Sequence, residues 1–358
     1  MSYKIPIGPY HPSLEEPYKI EVTCEGESVR DAAQYVQFNS RGIEWLAERR
    51  NYIQDIALVE RVCGICSHLH THIFCMAVER LAELGVPERA QYIRVIMAEL
   101  ERLHSHSLWA GIAAEVMGFQ TLFMTCFALR ERVMDVLETI SGNRVNYSMN
   151  CIGGVNRDIG DLEGVLATVQ EVRQGLERTL IPIFTTNRTV RARCSGVGIL
   201  TREQAVAWGA VGPTARASGI PQDIRRAAPY AAYDRIQFEV PVETGSDVLA
   251  RVVVRLLEMV ESCRIIEQAV QQIPTGPIRG PDFVQVPPGE TVARAEAPRG
   301  ECFYYIASDG SDIPVRVKIR TPSFVNMPTV RLMVQGATLA DVPLIQASID
   351  PCYSCTSR

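Results

Sequence analysis

The chain has 358 residues, 47% of them hydrophobic and 22% charged, with a formal net charge of −5. That length corresponds to about two average domains or one large helical domain, and the composition excludes a disordered or collagen-like chain. The mild acidity gives no electrostatic drive toward nucleic acid, and the group Arg188, Arg191 and Arg193 reads as a solvated or partner-facing edge.

Residues 1–17 carry no apolar run of the kind a secretory signal needs, so a cytoplasmic chain is expected. Alternation in Tyr18-Lys19-Ile20-Glu21-Val22, followed by Glu25-Gly26-Glu27, predicts an N-terminal hairpin. Apolar residues then recur at helical spacing through Ile73 to Leu84, Ala90 to Leu103, Leu122 to Ile140, Leu162 to Leu180 and Val248 to Ile273. The expected fold class is therefore mainly α with small β elements, an α+β chain around a central helix bundle. Between Ser107 and Leu129 Glu115 is the sole charge, a length that would suffice to cross a bilayer. Gln120, Thr121, Thr125 and the break at Gly118 favour helices packed on other helices instead. Six prolines and four glycines from Gln271 to Gly300 predict an extended, wrapping connection. Beyond it, Cys302 to Ile306 and Val315 to Ile319 read as paired strands turning at Asp309-Gly310, and Thr329 to Leu339 as a last short element. No internal repeat is visible. The expected organisation is one domain over 1–358, with a β/α segment at 1–60, the bundle at 61–270, and the connection, small β element and metal-binding end at 271–358.

The eleven cysteines divide by position. Cys24, Cys75, Cys126, Cys151, Cys194, Cys263 and Cys302 are isolated and read as small buried hydrophobes. The other four form two C-x-x-C pairs, Cys63 with Cys66 and Cys352 with Cys355. Without an export signal, metal or redox chemistry is favoured over disulfides, and soft thiolates select Zn, Cu(I), Fe–S clusters or Ni. The gap from 66 to 352 is far too long for a zinc ribbon, so the two ends of the chain must meet in the finished fold. A site assembled by the whole protein suits a catalytic centre better than a local staple. Cys355 lies close to residue 358, where backbone ordinarily frays, and a ligand bond would hold it down. Asp350-Pro351 supplies a stiff turn to aim the pair.

Arg61-Val62-Cys63-Gly64-Ile65-Cys66-Ser67-His68-Leu69-His70 and Asp350-Pro351-Cys352-Tyr353-Ser354-Cys355-Thr356-Ser357-Arg358 together resemble the large, catalytic subunit of a NiFe-hydrogenase. The likeness is to the group 4, membrane-bound energy-converting branch, Ech-like and CO-linked, which is related to the quinone-site subunit of complex I. It implies the NiFe-hydrogenase large-subunit fold and reversible conversion of 2H⁺ and 2e⁻ to H₂. It further implies that Cys63, Cys66, Cys352 and Cys355 bind nickel, with Cys63 and Cys352 terminal, and Cys66 and Cys355 bridging to an iron that carries CO and cyanide. No nucleotide is implied. Phe38-Asn39-Ser40-Arg41-Gly42-Ile43-Glu44 resembles the family's RGxE segment, and Ala297-Pro298-Arg299-Gly300 its PRG segment, whose arginine overhangs the metals. Arg299 would position or polarise a bound hydrogen species, because a guanidinium stays charged and supplies directed donors. His70 matches the histidine that hydrogen-bonds near the bridging cysteine, which tunes ligand basicity.

Leu14-Glu15-Glu16-Pro17 stands where the family has RIEGH, with Ser13, Glu16 and Pro17 departing from it. Glu15 matches the glutamate that carries protons from the terminal cysteine, and in an extended segment Glu15 and Glu16 point to opposite sides. On a helix His68 and His72 would share a face that His70 does not, so three histidines ligating one metal is disfavoured. His104 and His106 read as satisfied interior or interface groups, and His11 in Gly8-Pro9-Tyr10-His11-Pro12 resembles the complex I relatives. Other branches of the family end in a histidine that binds a Mg or Fe ion together with the RGxE glutamate. Here residue 358 is arginine, which leaves Glu44 the weaker metal candidate.

The chain shows no cluster motif able to pass electrons on, so the resemblance implies an iron–sulfur small subunit, a ferredoxin or ferredoxin-like donor, and integral membrane subunits that translocate ions. It places the chain peripherally on the cytoplasmic side of the cell membrane as part of a complex. It also implies nickel chaperones and a maturation protease. A site joining residues 63 and 355 must be filled before the C-terminal segment folds over it, so a tail beyond Arg358, cleaved after nickel loading, is expected. Two other readings stay open: a complex I-like quinone-site and energy-coupling subunit without its own metal, against which both complete cysteine pairs argue, and a structural Cys₄ Zn or Fe–S protein.

Overall fold

The computed structural model describes residues 2–12, 14, 16–281 and 285–358. Three antiparallel strands open the chain: β1 (Ser2–Ile7), β2 (Lys19–Glu25) and β3 (Ser28–Tyr35), with β2 in the centre. Alternation in β2 turns Ile20, Val22 and Cys24 inward, as the sequence pattern predicts. Sequence reading misses β1 because four of its six residues are exposed, so its pairing with β2 leaves no inward stripe of apolar residues.

Two short helices, α1 (Ile43–Ala47) and α2 (Tyr52–Glu60), lead from this sheet into the bundle. A capping box starts α2: the Asn51 side chain accepts from the Gln54 backbone N–H, and the Gln54 side chain accepts from that of Asn51. The bundle is α3 (Ser67–Leu81), α4 (Glu88–Val116), α5 (Gln120–Ser141), α6 (Leu162–Gly175) and α7 (Val248–Gln272), with α4 packed against both α5 and α7. α4 runs well past the Ala90 to Leu103 that apolar spacing marks. It is buried all round, and the polar groups it takes inside find partners there. Glu99 accepts from Arg102, Arg225, Tyr233 and Ser262, and Glu258 on α7 accepts from Arg216 and meets His106. The chain breaks at Gly118, φ 78°, between α4 and α5. Among the described residues no helix is long and apolar enough to cross a membrane.

The Pro-rich connection is shorter than its composition predicts. Gly289–Ala297 is a strand, β4, paired antiparallel along its length with β5 (Gly300–Ser308), which pairs in turn with β6 (Arg316–Arg320). No proline falls between Pro288 and Pro298, and from Ala293 the inward residues Ala293 and Ala295 alternate in the strand manner. β4 and β5 pack on α3, which brings the β4–β5 turn to the start of that helix. Short helical turns follow, and the last element is α8 (Tyr353–Ser357).

α2 buries Asp55, whose carboxylate oxygens meet no hydrogen-bond donor among the described residues. Burial pushes its carboxyl up to about 8, against the pull of Arg50. An acid raised in the folded state contributes stability that is complete below its unfolded pKa and lost as the pH climbs to the folded value. Here the window runs from about 4 to about 8. Asp55→Asn should therefore match the parent in thermal unfolding only below about pH 4 and exceed it increasingly above that, by up to about 5 kcal/mol near pH 8. A parent whose melting temperature stays flat across that window would contradict the assignment.

Candidate metal centre

Both cysteine pairs sit at the start of a helix. Cys66 immediately precedes α3, and the backbone N–H groups of Ile65 and Cys66 donate to Cys63 Sγ at 3.2 and 3.3 Å. Cys352 precedes α8, and the N–H of Cys355 donates to Cys352 Sγ at 3.3 Å. Each C-x-x-C thus folds into one turn with both sulfurs on the same side, aided by the positive end of a helix for α3. The two turns face each other: Cys63 Sγ lies 3.4 Å from Cys352 Sγ, and Cys66 Sγ 3.6 Å from Cys355 Sγ. The sulfurs of Cys63, Cys66 and Cys355 lie within 4.8 Å of one another, and all four residues are buried. Hydrogen bonds from Cys352, Cys355 and Cys66 hold the Cys63 thiol well below its ordinary value. Four sulfur donors converging in one dry cradle fit a soft, thiophilic metal ion.

The other expected residues surround this cradle. His70, one turn into α3, places Nε2 3.5 Å from Cys355 Sγ and Nδ1 2.7 Å from the Tyr304 hydroxyl. Burial drives the imidazole down to about 4, so it is neutral. Opposite a thiolate at Cys355, which can only accept, the ring proton belongs on Nε2, which leaves Nδ1 to accept from the Tyr304 hydroxyl. Tyr304 belongs to no motif in the sequence, though strand alternation is an available signal: Cys302, Tyr304 and Ile306 are the inward positions of β5.

Arg299, in the β4–β5 turn, is buried. Its Nε donates to the Asp350 carbonyl at 2.8 Å, Nη2 to Asp350 Oδ1 at 2.7 Å and Nη1 to Ser105 Oγ at 3.2 Å. Burial opposes its charge, but Asp350 and the thiols of Cys352, Cys63 and Cys66 outweigh that and hold its pKa well above the ordinary value. Asp350 takes a left-handed conformation, φ 55°, in the turn that aims Cys352, and Arg299 grips it through main chain and side chain together. The turn itself depends on glycine: a Cβ on Gly300 would come within 2.7 Å of the Gly212 nitrogen.

Glu15 lies outside the described residues. Glu16 accepts hydrogen bonds from Ser354 Oγ at 3.1 and 3.3 Å, which sets it beside α8, where Tyr18 packs on Tyr353 with ring centroids 4.9 Å apart. Burial raises the Glu16 carboxyl, Ser354 lowers it, and the charge on Cys63 raises it further. Glu44 is fully engaged by protein groups: Arg358 Nε and the Ile319 N–H donate to Oε1 at 2.9 and 3.0 Å, and Lys318 Nζ to Oε2 at 2.8 Å. That carboxylate is ion-paired on both oxygens, with Arg358 on one and Lys318 on the other. His68 is fixed and neutral, bonded to Asn150 and the Arg94 carbonyl, and its ring lies 5.6 Å from that of His72, the shared face expected of i and i+4. His104 and His106 are interior, bonded to Arg130 and Glu258. The seven isolated cysteines are buried, except Cys151, which is half-buried.

Two family models match the chain. That of the respiratory-chain NADH dehydrogenase 49 kDa subunit covers residues 117–285 and 281–358, and that of nickel-dependent hydrogenases covers 41–110. The carbon monoxide-induced hydrogenase of Rhodospirillum rubrum is 41% identical, over 100% of this chain and 99% of that one. The membrane-bound hydrogenase subunit alpha of Pyrococcus furiosus is 43% identical, over 99% and 87%. An NADH-quinone oxidoreductase subunit from Dehalococcoides mccartyi is 38% identical, over 96% and 95%. Among solved structures, a chain of an archaeal respiratory membrane complex, the membrane-bound sulfane sulfur reductase, superposes with a TM-score of 0.95 at 35% identity, covering 100% of this chain and 98% of that one.

Proposed function

Because the chain belongs to the family that unites membrane-bound hydrogenase large subunits with the 49 kDa subunit of respiratory-chain NADH dehydrogenase, we propose that it is the catalytic subunit of a NiFe-hydrogenase. The family's members are oxidoreductase subunits of membrane-bound, multi-subunit complexes. The finer reading is reversible reduction of protons to H₂ at a nickel–iron centre whose iron carries CO and cyanide. One observation carries it: the buried sulfurs of Cys63, Cys66 and Cys355, from opposite ends of the chain, lie within 4.8 Å of one another, and Cys352 Sγ stands 3.4 Å from Cys63 Sγ. Cys63, Cys66, Cys352 and Cys355 would hold the centre, which when loaded supplies the electron-transfer and H–H bond chemistry that protein groups lack.

Around it, each residue has a stated task. His70 Nε2–H donates to Cys355 and steadies its negative charge. Arg299, fixed by Asp350 and Ser105, presents a permanent cation near the sulfurs and would help position a bound hydrogen species. A carboxylate of the Glu15-Glu16 pair takes the proton outward, and Glu16 accepts from Ser354 on α8. Tyr304→Phe removes the donor to His70 Nδ1; nickel should be retained while turnover falls by about tenfold. Nickel loss on that substitution would show that Tyr304 supports the site structurally rather than by orienting His70.

Electrons would reach the centre from an iron–sulfur small subunit fed by ferredoxin, with integral membrane subunits coupling turnover to ion movement. The chain would sit peripherally on the cytoplasmic face. The names of its hydrogenase relatives, one membrane-bound and one induced by carbon monoxide, support this assembly. Metal analysis and infrared spectroscopy of the intact complex test the reading. Nickel and iron with CO and cyanide bands are expected. Zinc alone would make the four cysteines a structural site, and no metal would favour the second reading, a complex I-like energy-coupling subunit. That second reading has the 49 kDa match over residues 117–358 in its favour.

A further inference from the structure

Both cysteine turns are tied to one exposed side chain. Arg41 Nη1 donates to the Arg61 carbonyl at 2.6 Å, and Nη2 donates to the Val62 carbonyl at 3.0 Å and to the Ser354 carbonyl at 2.9 Å. Val62 immediately precedes Cys63, and Ser354 immediately precedes Cys355. One guanidinium therefore spans the backbones of the two ligand pairs. Three residues on, Glu44 holds Arg358, whose guanidinium also stacks 5.3 Å over the Phe324 ring. The bonds to Ser354 and Arg358 exist only when the C-terminal segment lies in place across the cradle.

We propose that Arg41 is a positioning residue: its planar fork sets the separation of the two cysteine pairs and, with Glu44 and Arg358, fastens the C-terminal segment over the loaded site. The proposal rests on the reading that the four thiolates hold a metal, and extends it by assigning what keeps them closed around it. The three acceptors are carbonyls of two separate loops. A guanidinium offers five donors in a fixed plane and reaches all three at once, whereas a lysine ammonium is a point charge on a flexible stem. The side chain works from the surface, so truncating it removes bonds without opening a cavity in the core.

The test uses the intact membrane complex carrying Arg41→Ala or Arg41→Lys, with Arg49→Ala as control, since Arg49 donates to the Trp45 carbonyl and stacks on the Trp45 ring, away from both cysteine turns. Nickel retention against a chelator and hydrogen–deuterium exchange of residues 352–358 are both read. Both Arg41 variants should load nickel and then release it about tenfold or more faster than the parent, the scale of losing charge-assisted hydrogen bonds. Exchange across 352–358 should rise, the infrared bands of the centre should broaden, and added guanidinium should restore slow release to Arg41→Ala. Arg49→Ala should behave as the parent. If the parent holds nickel and the Arg41 variants release it no faster, with unchanged exchange, the fastening role is wrong while the metal reading stands. If the parent holds no nickel, the metal reading fails, and the exchange measurement, which needs no metal, still decides whether Arg41 fastens the segment.

Discussion

Serine in place of any one of Cys63, Cys66, Cys352 or Cys355 should abolish H₂ turnover and deplete nickel in the purified complex. The change is small in volume, so the fold should survive; what is lost is the match between a soft metal and a thiolate, since a serine hydroxyl is harder and stays protonated at neutral pH. The geometry makes the four equivalent in this respect. Each sulfur lies within 3.6 Å of one from the opposite pair, so removing one leaves a gap that no neighbouring cysteine fills. Cys302 and Cys75, also buried, are the proper controls, and serine at either should leave nickel in place. Full nickel and full activity in any of the four variants would exclude a four-thiolate centre.

The second large effect concerns the proton. Glu16→Gln should keep nickel and the infrared signature of the centre while lowering H₂ production and H/D exchange by about a hundredfold or more, the scale of losing a positioned acid–base group. Glutamine can still accept the Ser354 hydrogen bond, so the segment stays in place, but it cannot take up and release a proton. Burial and the negative charge of Cys63 raise the Glu16 carboxyl, which brings its proton exchange closer to neutral pH. Motif matching alone gives this role to Glu15. Glu15→Gln is therefore the paired measurement: loss of turnover there with none at Glu16 would return the relay to Glu15, and full activity in both would send the proton by another route, with His70 next to be substituted.

The parts of the site that covalent spacing determines are legible in the sequence. Two C-x-x-C pairs, each able to close one turn, announce a shared ligand set whatever lies between them, and the periodic helices Leu122 to Ile140 and Val248 to Ile273 agree closely with α5 and α7. What sequence reading misses is defined through space. Tyr304 acquires its meaning only when β5 packs on α3 and brings it to His70, 234 positions away in the chain. The Arg41 fork joins positions 313 apart, and the RGxE-like segment that contains Arg41 gives no sign of which carbonyls its guanidinium holds. β1 escapes because an exposed strand bears no periodic signature, and β4 because Pro and Gly upstream of it set the expectation for the whole segment. α4 shows the opposite failure: its buried Arg94, Glu99, Glu101 and Arg102 break the apolar pattern because they satisfy one another and their neighbours inside the protein.

That the first two sulfurs lie near residue 65 and the last two near residue 353 has a consequence for the chain as it is made. On the ribosome the bundle that houses Cys63 and Cys66 emerges, and has time to pack, long before Cys352 is polymerised. Any chain that terminates early, from a premature stop or a frameshift ahead of residue 352, carries only half of the proposed ligand set, however well its helices pack. A metal held by all four thiolates would thus act as a check on length, because only a polypeptide translated past residue 355 brings the two pairs together.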